Sequence, residues 1–335
     1  MSNLKKIARA LVASYKGILA ADESDRTIKK RLNSVGVEST LENRRAYREM
    51  LLTTPRIENY ISGVILFDET IKDHLSTGEN FAEYLTKRGI IPGIKVDKGA
   101  KDLAFFPGEK VTEGLDGLRE RLAEYKDLGA KFTKWRAVIV IDEKSELPTG
   151  EAIDANAHAL ARFAALSQEA GMVPIVEPEV LMDGNHSLER CGEVSGLVWD
   201  RVFEELRKYR VDLEGMLLKT NMVISGKEAS RKATKEEIAE ATVEGFKAHV
   251  PEEIPGVVFL SGGQSPEEAT VNLNEISQVA KRVDVPWELS YSYGRGLQGE
   301  ALVEWSGRKD KVKSAQKVFL ERARKVSLAR MGELE

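Results

Sequence analysis

The sequence predicts an α/β protein, a single (β/α)8 TIM barrel that spans residues 1–335. Short apolar runs recur eight times along the chain, and charged stretches of helical period separate them. No linker rich in Pro, Gly or Ser divides the chain, so one domain is expected. Apolar strands that alternate with helices form parallel sheets, and eight such units favour a closed barrel. An open doubly wound sheet is the structural alternative, but no GxGxxG motif follows the first run.

The predicted strands are short runs in which apolar residues predominate. In order they are "GILAAD" (17–22), "ISGVILF" (61–67), "IPGIKVD" (91–97), "AKFTKWRAVIVI" (130–141), "MVPIVEP" (172–178), "GMLLKTNMV" (215–223), "GVVFLSGG" (256–263) and "WELSYSY" (287–293). Between them, the clearest amphipathic helices are predicted over 114–129, 152–171 and 234–250.

Composition excludes several classes of partner. The 50 basic and 54 acidic residues are interspersed and give a formal charge of -4, with no basic stripe of the kind that nucleic-acid-binding proteins carry. No run of 18 apolar residues occurs, so no membrane partner is expected. The single cysteine, Cys191, cannot form an intramolecular disulfide, and a reducing cytoplasm therefore fits the chain best.

No cofactor or metal site is evident from the residue spacing. The four histidines are far apart in sequence, and none lies at helical or hairpin spacing from another: His74, His158, His186 and His249. A metal centre built on histidines is therefore not expected, although ligands that are distant in sequence can converge in a fold.

Charged residues fall late in several predicted strands, where the active sites of barrels are built. The first run ends at Asp22 and the third contains Lys95. The fifth ends with Glu177 and Glu179, which share a face because they are two residues apart. Lys134 and Arg136 are paired in the same way on strand four. Lys134, however, precedes the apolar "AVIVI", so the sequence predicts that it lies too early in its strand to reach the catalytic end of the barrel.

Lys219 lies in the middle of the apolar run "LLKTNMV". One interpretation is a strand-end lysine whose ammonium reaches water. The other is an amine nucleophile for a ketone, with Lys134 as the neighbouring cation that makes it available. Glu177 or Glu179 would then supply the proton for carbinolamine dehydration, if an apolar wall or the other carboxylate raises its pKa. A structural ion pair with lysine or arginine is the alternative for these glutamates.

A phosphate site is predicted behind strands seven and eight. "LSGGQS" (260–265) places Ser261, Gly262 and Gly263 before a predicted helix, and Arg295 follows strand eight in "SYGRG". Backbone amides in a glycine turn at a helix start bind anions, and barrels use this position for phosphate.

These segments together closely resemble the class I fructose-1,6-bisphosphate aldolases. The likeness extends in order from about Ile7 to Ala329 and rests on "KGILAADES", "GVILFDET", "GIKVDKG", "KWR", "VPIVEPE", "LLKTNMV", "FLSGGQS" and "SYGRGLQ". The resemblance implies a barrel that cleaves fructose 1,6-bisphosphate into dihydroxyacetone phosphate and glyceraldehyde 3-phosphate without a metal, in glycolysis and gluconeogenesis. It also implies a homo-oligomer, a tetramer by resemblance, with a phosphorylated sugar as its small-molecule partner.

The resemblance also implies a role for each site residue. Lys219 matches the Schiff-base lysine, Lys134 its cationic neighbour, and Glu177 the acid and base of the carbinolamine steps. Glu179 would support that proton network, and Asp22 would accept the C4 hydroxyl proton. The implied C1-phosphate residues are Ser261, Gly262 and Arg295, with Gly263 beside them; those for the C6 phosphate are Ser24, Thr27 and Lys95, and less defined binding roles fall to Arg31 and Arg136.

The chain departs from the family pattern in two places. Asp25 and Arg26 stand where many relatives carry small residues, which alters the charge of the C6-phosphate pocket. Animal members end in a tail whose terminal tyrosine enters the active site, whereas the last tyrosine here is Tyr293. We therefore expect a group inside the barrel or water to protonate the enamine, and we interpret Lys325, Glu333 and Glu335 as a solvated helix end.

Two other functions are compatible with parts of the pattern. Another lysine Schiff-base barrel, of the transaldolase or deoxyribose-phosphate aldolase kind, would not be expected to match all eight segments. A catalytically idle barrel that serves as a cytoskeletal or regulatory binding protein would have no reason to keep Asp22, Lys134, Glu177 and Lys219 together.

Overall fold

The computed structural model describes residues 3–334, in which ten strands occur. They are β1 (Gly17–Ala21), β2 (Ile61–Leu66), β3 (Ile91–Lys95), β4 (Ala100–Asp102), β5 (Lys110–Thr112), β6 (Phe132–Ile139), β7 (Val173–Val180), β8 (Leu217–Thr220), β9 (Gly256–Phe259) and β10 (Glu288–Tyr293). Eight of them form a closed barrel in the order β1-β10-β9-β8-β7-β6-β3-β2, with β1 paired to both β2 and β10. All eight barrel pairings are parallel, and the predicted (β/α)8 barrel is confirmed. The remaining strands, β4 and β5, make an antiparallel hairpin.

Twelve α-helices surround or close the barrel within residues 3–334. They are α1 (Asn3–Leu11), α2 (Asp25–Asn33), α3 (Leu41–Leu52), α4 (Asp68–Lys72), α5 (Phe81–Lys87), α6 (Leu118–Asp127), α7 (Gly150–Glu169), α8 (Leu188–Lys208), α9 (Lys235–His249), α10 (Pro266–Val283), α11 (Arg295–Trp305) and α12 (Val312–Arg330). Single 3-10 turns cover 57–59, 143–145, 213–215 and 309–311. The helices predicted over 114–129, 152–171 and 234–250 are α6, α7 and α9.

Two apolar layers follow from the alternation of side chains along the strands. The larger layer packs the outward-facing residues against the helices, as Trp135 does against Phe163 with ring centroids 5.6 Å apart. The smaller layer fills the barrel interior and includes Ile18, Phe132, Ile175, Leu217 and Val258. Leu11 and Val12, from the end of α1 and just beyond it, join this interior layer. The interior layer, with α1 packed onto it, is the floor on which the site rests.

Glycines on two neighbouring strands make room for that interior layer. A Cβ at Gly93 would lie 2.3 Å from the Phe132 ring, and one at Gly63 would lie 2.6 Å from Leu11. Real Cβ atoms do not approach other atoms so closely, so the phenyl ring occupies space that any larger residue on β3 would need. The size of these two residues is therefore set by the packing of the barrel floor.

The last described residues contact the flank of the barrel. Leu334 N donates to Asn274 Oδ1 at 3.0 Å, and Glu333 accepts hydrogen bonds from the Tyr15 hydroxyl at 3.0 and 3.1 Å. Lys325 pairs with Glu267 at 2.8 Å. Glu333 is exposed and the Lys325 side chain is 40% exposed, so both remain in contact with solvent as expected, and Glu335 lies outside the described residues.

Between residues 3 and 334, no helix combines the length and apolar character that crossing a bilayer requires.

Candidate active site

A cleft of about 1240 Å³ opens at the carboxyl ends of the strands. Thirteen of the fourteen predicted site residues line it: Asp22, Ser24, Thr27, Arg31, Lys95, Lys134, Arg136, Glu177, Glu179, Lys219, Ser261, Gly262 and Arg295. Gly263 is the exception, because its Cα faces the Met182 and Lys227 side chains, which a Cβ would meet at 2.6 and 2.3 Å.

Lys134 lies at the catalytic end, which corrects the expectation that it is placed too early. The strand register pairs Lys134 with Lys95, the last residue of β3, and with Ile175 on β7. Strand β6 therefore begins opposite Gly93, the third residue of β3, and extends beyond the end of β3. The apolar residues that follow Lys134 mostly face the helices, as the membership of Trp135 and Ala137 in the outer apolar layer indicates.

Three buried side chains and the largely buried Asp22 form a chain of alternating charge across the cleft. Lys134 Nζ lies 2.7 Å from Asp22 Oδ2 and 3.2 Å from Glu177 Oε2. Lys219 Nζ lies 3.1 Å from Glu177 Oε1. Glu177 thus bridges the two lysines, and its Oε2 accepts no hydrogen bond from any residue of the described chain.

The lysines control the protonation of the two carboxylates. Burial acts to raise the pKa of Asp22 and of Glu177, but the positive charges of Lys134 and Lys219 outweigh it and hold both pKa values below their ordinary range. For Lys134, burial acts to lower the pKa, while Asp22 and Glu177 raise it well above its ordinary value. The condition of a raised pKa is therefore not met at Glu177, because two cations adjoin this carboxylate.

Glu179 forms a structural ion pair with an arginine, which was the alternative interpretation of Glu177 and Glu179. Its carboxylate contacts Arg136 Nε, and no hydrogen bond or ion pair within residues 3–334 joins it to Lys219 or Lys134. Burial acts to lower the pKa of Arg136, but Glu179 raises it above its ordinary value. Glu179 therefore holds the Arg136 guanidinium at the cleft wall.

Asp97 organises the adjoining wall from the end of β3. Its Oδ1 accepts hydrogen bonds from Lys95 Nζ at 2.5 Å and from Gly99 N at 3.1 Å, while its Oδ2 accepts from Arg136 N at 3.2 Å. Asp97 is buried, and it places the Lys95 ammonium at the cleft.

The predicted C1-phosphate residues lie directly after β9 and at the start of α11. Ser261 and Gly262 follow β9, and Gly262 has a φ of 53°, a left-handed conformation that favours glycine. Arg295 begins α11, and its Nη2 donates to Gly262 O and Gln264 O, both at 3.3 Å. The guanidinium is therefore held against the turn that carries Ser261.

The predicted C6-phosphate residues surround the start of α2. Ser24 is the N-cap, but its hydroxyl makes no capping bond and lies 3.2 Å from the Thr27 hydroxyl. The first helical amide to donate is that of Ile28, to Ser24 O at 2.9 Å. The three preceding amides find no acceptor within residues 3–334, so they remain available to an anion.

Sequence reasoning missed the support behind Arg31. Glu23 is buried between Arg31 and Arg48, and Gln298 accepts a further hydrogen bond from Arg31 at 3.3 Å. Glu23 could have been found as a strand-end carboxylate beside Asp22. Arg48 and Gln298 lie within α3 and α11, where no feature of the sequence distinguishes them from other helical residues.

Residues 3–334 contain no group of three or more His, Cys, Asp or Glu side chains arranged to hold a metal ion.

The family model described as "Fructose-bisphosphate aldolase class-I" matches residues 3–335. The chain belongs to this family. It is 55% identical over 336 residues to the "Probable fructose-bisphosphate aldolase class 1" of Xanthomonas campestris, covering 99% of this chain and 98% of that one. It is 50% identical over 319 residues to "Fructose-bisphosphate aldolase 4, cytosolic" of Arabidopsis thaliana, covering 95% of this chain and 80% of that one.

A solved structure of this aldolase family has the same fold. The fructose-bisphosphate aldolase of Plasmodium falciparum, in complex with TRAP and a small-molecule inhibitor, superposes with a TM-score of 0.97 and 47% identity. The match covers 99% of this chain and 95% of that chain. The resemblance inferred from the eight segments is therefore confirmed.

Proposed function

We propose that this aldolase-family chain cleaves fructose 1,6-bisphosphate reversibly into dihydroxyacetone phosphate and glyceraldehyde 3-phosphate, with Lys219 as its Schiff-base nucleophile. The observation that carries the proposal is the buried contact of 3.1 Å between Lys219 Nζ and Glu177 Oε1. Transfer of one proton across this contact produces an amine and a carboxylic acid, the two forms that carbinolamine chemistry needs.

The Schiff base forms in two steps at this pair. The amine of Lys219 attacks the C2 ketone, and the carbinolamine that results loses water when its hydroxyl receives a proton. Glu177 is the donor for that step, and the reverse transfer makes it the base for hydrolysis. Glu177 Oε2 is buried and lies 3.2 Å from Lys134 Nζ, so this cation holds the carboxylate in position while the proton is exchanged.

Asp22 is the base for carbon–carbon cleavage. Its lowered pKa keeps it ionised at neutral pH, and Lys134 at 2.7 Å fixes its orientation. When Asp22 removes the C4 hydroxyl proton, the electrons of the C3–C4 bond move into the protonated iminium and glyceraldehyde 3-phosphate departs. The enamine that remains takes a proton at C3, and hydrolysis of the Schiff base then releases dihydroxyacetone phosphate.

We assign the C1 phosphate and the C6 phosphate to two different sets of cleft residues. Ser261, Gly262 and Arg295 would hold the C1 phosphate, with charge-assisted hydrogen bonds from Arg295. Lys95, with the hydroxyls and free amides at the start of α2, would hold the C6 phosphate. Arg31 and Arg136 line the cleft beside these groups, whereas Gly263 supports the turn from behind.

A coupled cleavage assay tests the activity. We expect cleavage of fructose 1,6-bisphosphate with EDTA present, and borohydride reduction with dihydroxyacetone phosphate should add the ligand's mass to the peptide that contains Lys219. Fructose 1-phosphate, assayed in parallel, reports what the C6 phosphate contributes. Activity that EDTA removes and zinc restores would overturn the metal-free mechanism, and label on Lys134 or Lys95 would overturn the choice of nucleophile.

We propose a cytoplasmic protein, a single domain over 1–335 and a homo-oligomer, a tetramer by its family resemblance. The cytosolic Arabidopsis relative and the single buried cysteine support the first of these. Light scattering after gel filtration would measure the oligomeric state, and a monomer mass would exclude the last.

A further inference from the structure

Three charged side chains extend from the cleft into the protein core. Glu23 directly follows Asp22, and one of its carboxylate oxygens contacts Arg31 on α2 while the other contacts Arg48 on α3. The exposed fractions of the side chains are 23% for Arg31, 4% for Glu23 and 5% for Arg48. Arg31 and Glu23 line the cleft, and Arg48 does not.

Arg31 is also held from α11. Its Nη1 donates to Gln298 Oε1 at 3.3 Å, and the same oxygen accepts from the Tyr47 hydroxyl at 2.9 Å. Burial raises the pKa of Tyr47 well above its ordinary value, so this hydroxyl remains a donor. Gln298 is fixed in turn, because its Nε2 donates to Ala20 O at 2.6 Å.

The direction of the Arg31 guanidinium follows from its neighbour Gly294. A Cβ built on Gly294 would lie 3.4 Å from Arg31 Nη2, so the guanidinium lies beside the start of α11. Arg295, the next residue, lines the same part of the cleft. Arg31 and Arg295 therefore both lie near the start of α11 and line the cleft.

The charges of the triad explain why a second arginine is buried behind Glu23. An isolated pair of Arg31 and Glu23 would be neutral overall and would attract a dianion weakly. Arg48 has no other hydrogen-bond acceptor or ion-pair partner within residues 3–334, so it neutralises Glu23 and leaves the triad with a net positive charge. Desolvation of such a guanidinium is costly, and the single carboxylate compensates it.

We infer that Arg48 and Glu23 are positioning residues that keep Arg31 fixed and positively charged toward a phosphate group in the cleft. Arg48 acts on the ligand only through Glu23 and Arg31. The inference rests on the proposed function in one respect, namely that the ligand carries a phosphate. Inorganic phosphate is therefore the probe, since its binding is measured without turnover.

The experiment compares Arg48→Met with the wild-type chain by calorimetric titration of inorganic phosphate and by steady-state kinetics on fructose 1,6-bisphosphate. We expect phosphate affinity to fall about tenfold and KM to rise by a similar factor, with kcat per borohydride-trapped site changed less than about threefold. Arg48→Lys, which keeps the charge, should restore affinity to within about threefold of wild type.

A matched control separates positioning from a merely structural role. Arg330 is another buried arginine, paired with Glu288 at 2.8 Å and bonded to Val12 O, far from the cleft residues in the fold. Arg330→Met should lower the melting temperature and leave phosphate affinity and KM unchanged. If Arg48→Met does the same, Arg48 is structural only and the inference is overturned.

A double-mutant cycle tests the route through Arg31. In a background that carries both Arg31→Met and Glu23→Gln, Arg48→Met should weaken phosphate binding no further, because both residues through which it acts are gone. Additive losses would overturn the inference. If Arg48→Met does not fold, Arg48→Lys carries the test, and a tenfold loss of phosphate affinity in that variant is the overturning result.

Failure of the proposed function gives a different outcome. A wild-type chain that binds phosphate but cleaves neither sugar would overturn the proposed activity, while weaker phosphate binding by Arg48→Met would still support the triad.

Discussion

The interior of the barrel changes from apolar to charged over two residues along the same strands. Phe132, Ile175 and Leu217 belong to the apolar floor, and the next inward-facing residues on those strands are Lys134, Glu177 and Lys219. The separation along a strand is only about 6 to 7 Å. The upper level tolerates burial because its charges alternate in sign from Asp22 to Lys219 and are paired throughout.

Substitutions in the apolar floor and in the charged level above it should therefore affect different properties of the protein. Removing a floor residue should cost stability and leave the chemistry in place, whereas removing a charge should cost chemistry first.

The largest effect is expected for Lys219→Met. Without the amine no covalent intermediate forms, and cleavage should fall about 10⁴-fold or more. Borohydride trapping by mass spectrometry checks the result, since no adduct should appear. Leu217→Ala, two residues lower on β8, is the control: it should lose stability and still be trapped. Normal trapping in Lys219→Met would show that another lysine is the nucleophile.

A smaller loss is expected for Glu177→Gln. The amide cannot exchange the proton that carbinolamine dehydration needs, so Schiff-base formation and hydrolysis should both slow by about a hundredfold or more. Single-turnover absorbance and trapping rates measure these steps. Glu179→Gln, an identical change two residues along β7, should slow them less because Glu179 contacts Arg136. The reverse order would mean that the roles of the two carboxylates are exchanged.

The pH dependence of stability in Lys134→Met tests the role of charge pairing in the charged level. Loss of this cation removes a major influence that lowers the pKa of Asp22, so that pKa is higher in the variant than in the wild type. A group with a depressed native pKa stabilises the fold above its unfolded pKa, and this stabilisation is lost as pH falls through the native pKa. The wild-type advantage, about 3 kcal/mol near pH 7, should therefore shrink as pH falls below about 4, the ordinary pKa of an aspartate. Denaturant unfolding across that range checks it, and a constant difference would contradict it.

The smallest effect on catalysis is expected at the floor itself. Phe132→Leu removes part of a buried ring and should lower the free energy of unfolding by about 1 to 2 kcal/mol. Schiff-base formation should stay within about threefold of wild type, because the charged level keeps all its partners. Urea unfolding and trapping yield measure the two outcomes. A hundredfold loss of trapping at unchanged stability would show that the two levels are not separable.

Local alternation predicted the barrel and the shared faces of the charged strand residues, whereas the roles of Ser24, Thr27 and Arg31 were implied by the family resemblance. Apolar runs define the strands, and a charge two residues beyond an interior apolar residue shares its face, as at Ile175 and Glu177. The level of Lys134 was mispredicted because strand register is a relation between strands, here between β3 and β6, and no single run contains it.

The electrostatics were predicted less well for a similar reason. The direction of the pKa shift at Glu177 depends on Lys134 and Lys219, which approach from the two neighbouring strands of the barrel. Arg48 and Gln298 were missed because they reach the site from helices, and their contacts depend on how α3 and α11 pack.

Because Gly93 lies close to the Phe132 ring, a substitution in the apolar floor can affect the catalytic residues above it. A methyl group at position 93 would have to displace the ring, and Phe132 shares its strand and face with Lys134. Substitutions at Gly93 can therefore survive only with a smaller residue at 132 or with a displaced ammonium beside Asp22. Those two positions are expected to vary together among functional variants, even though neither touches the substrate.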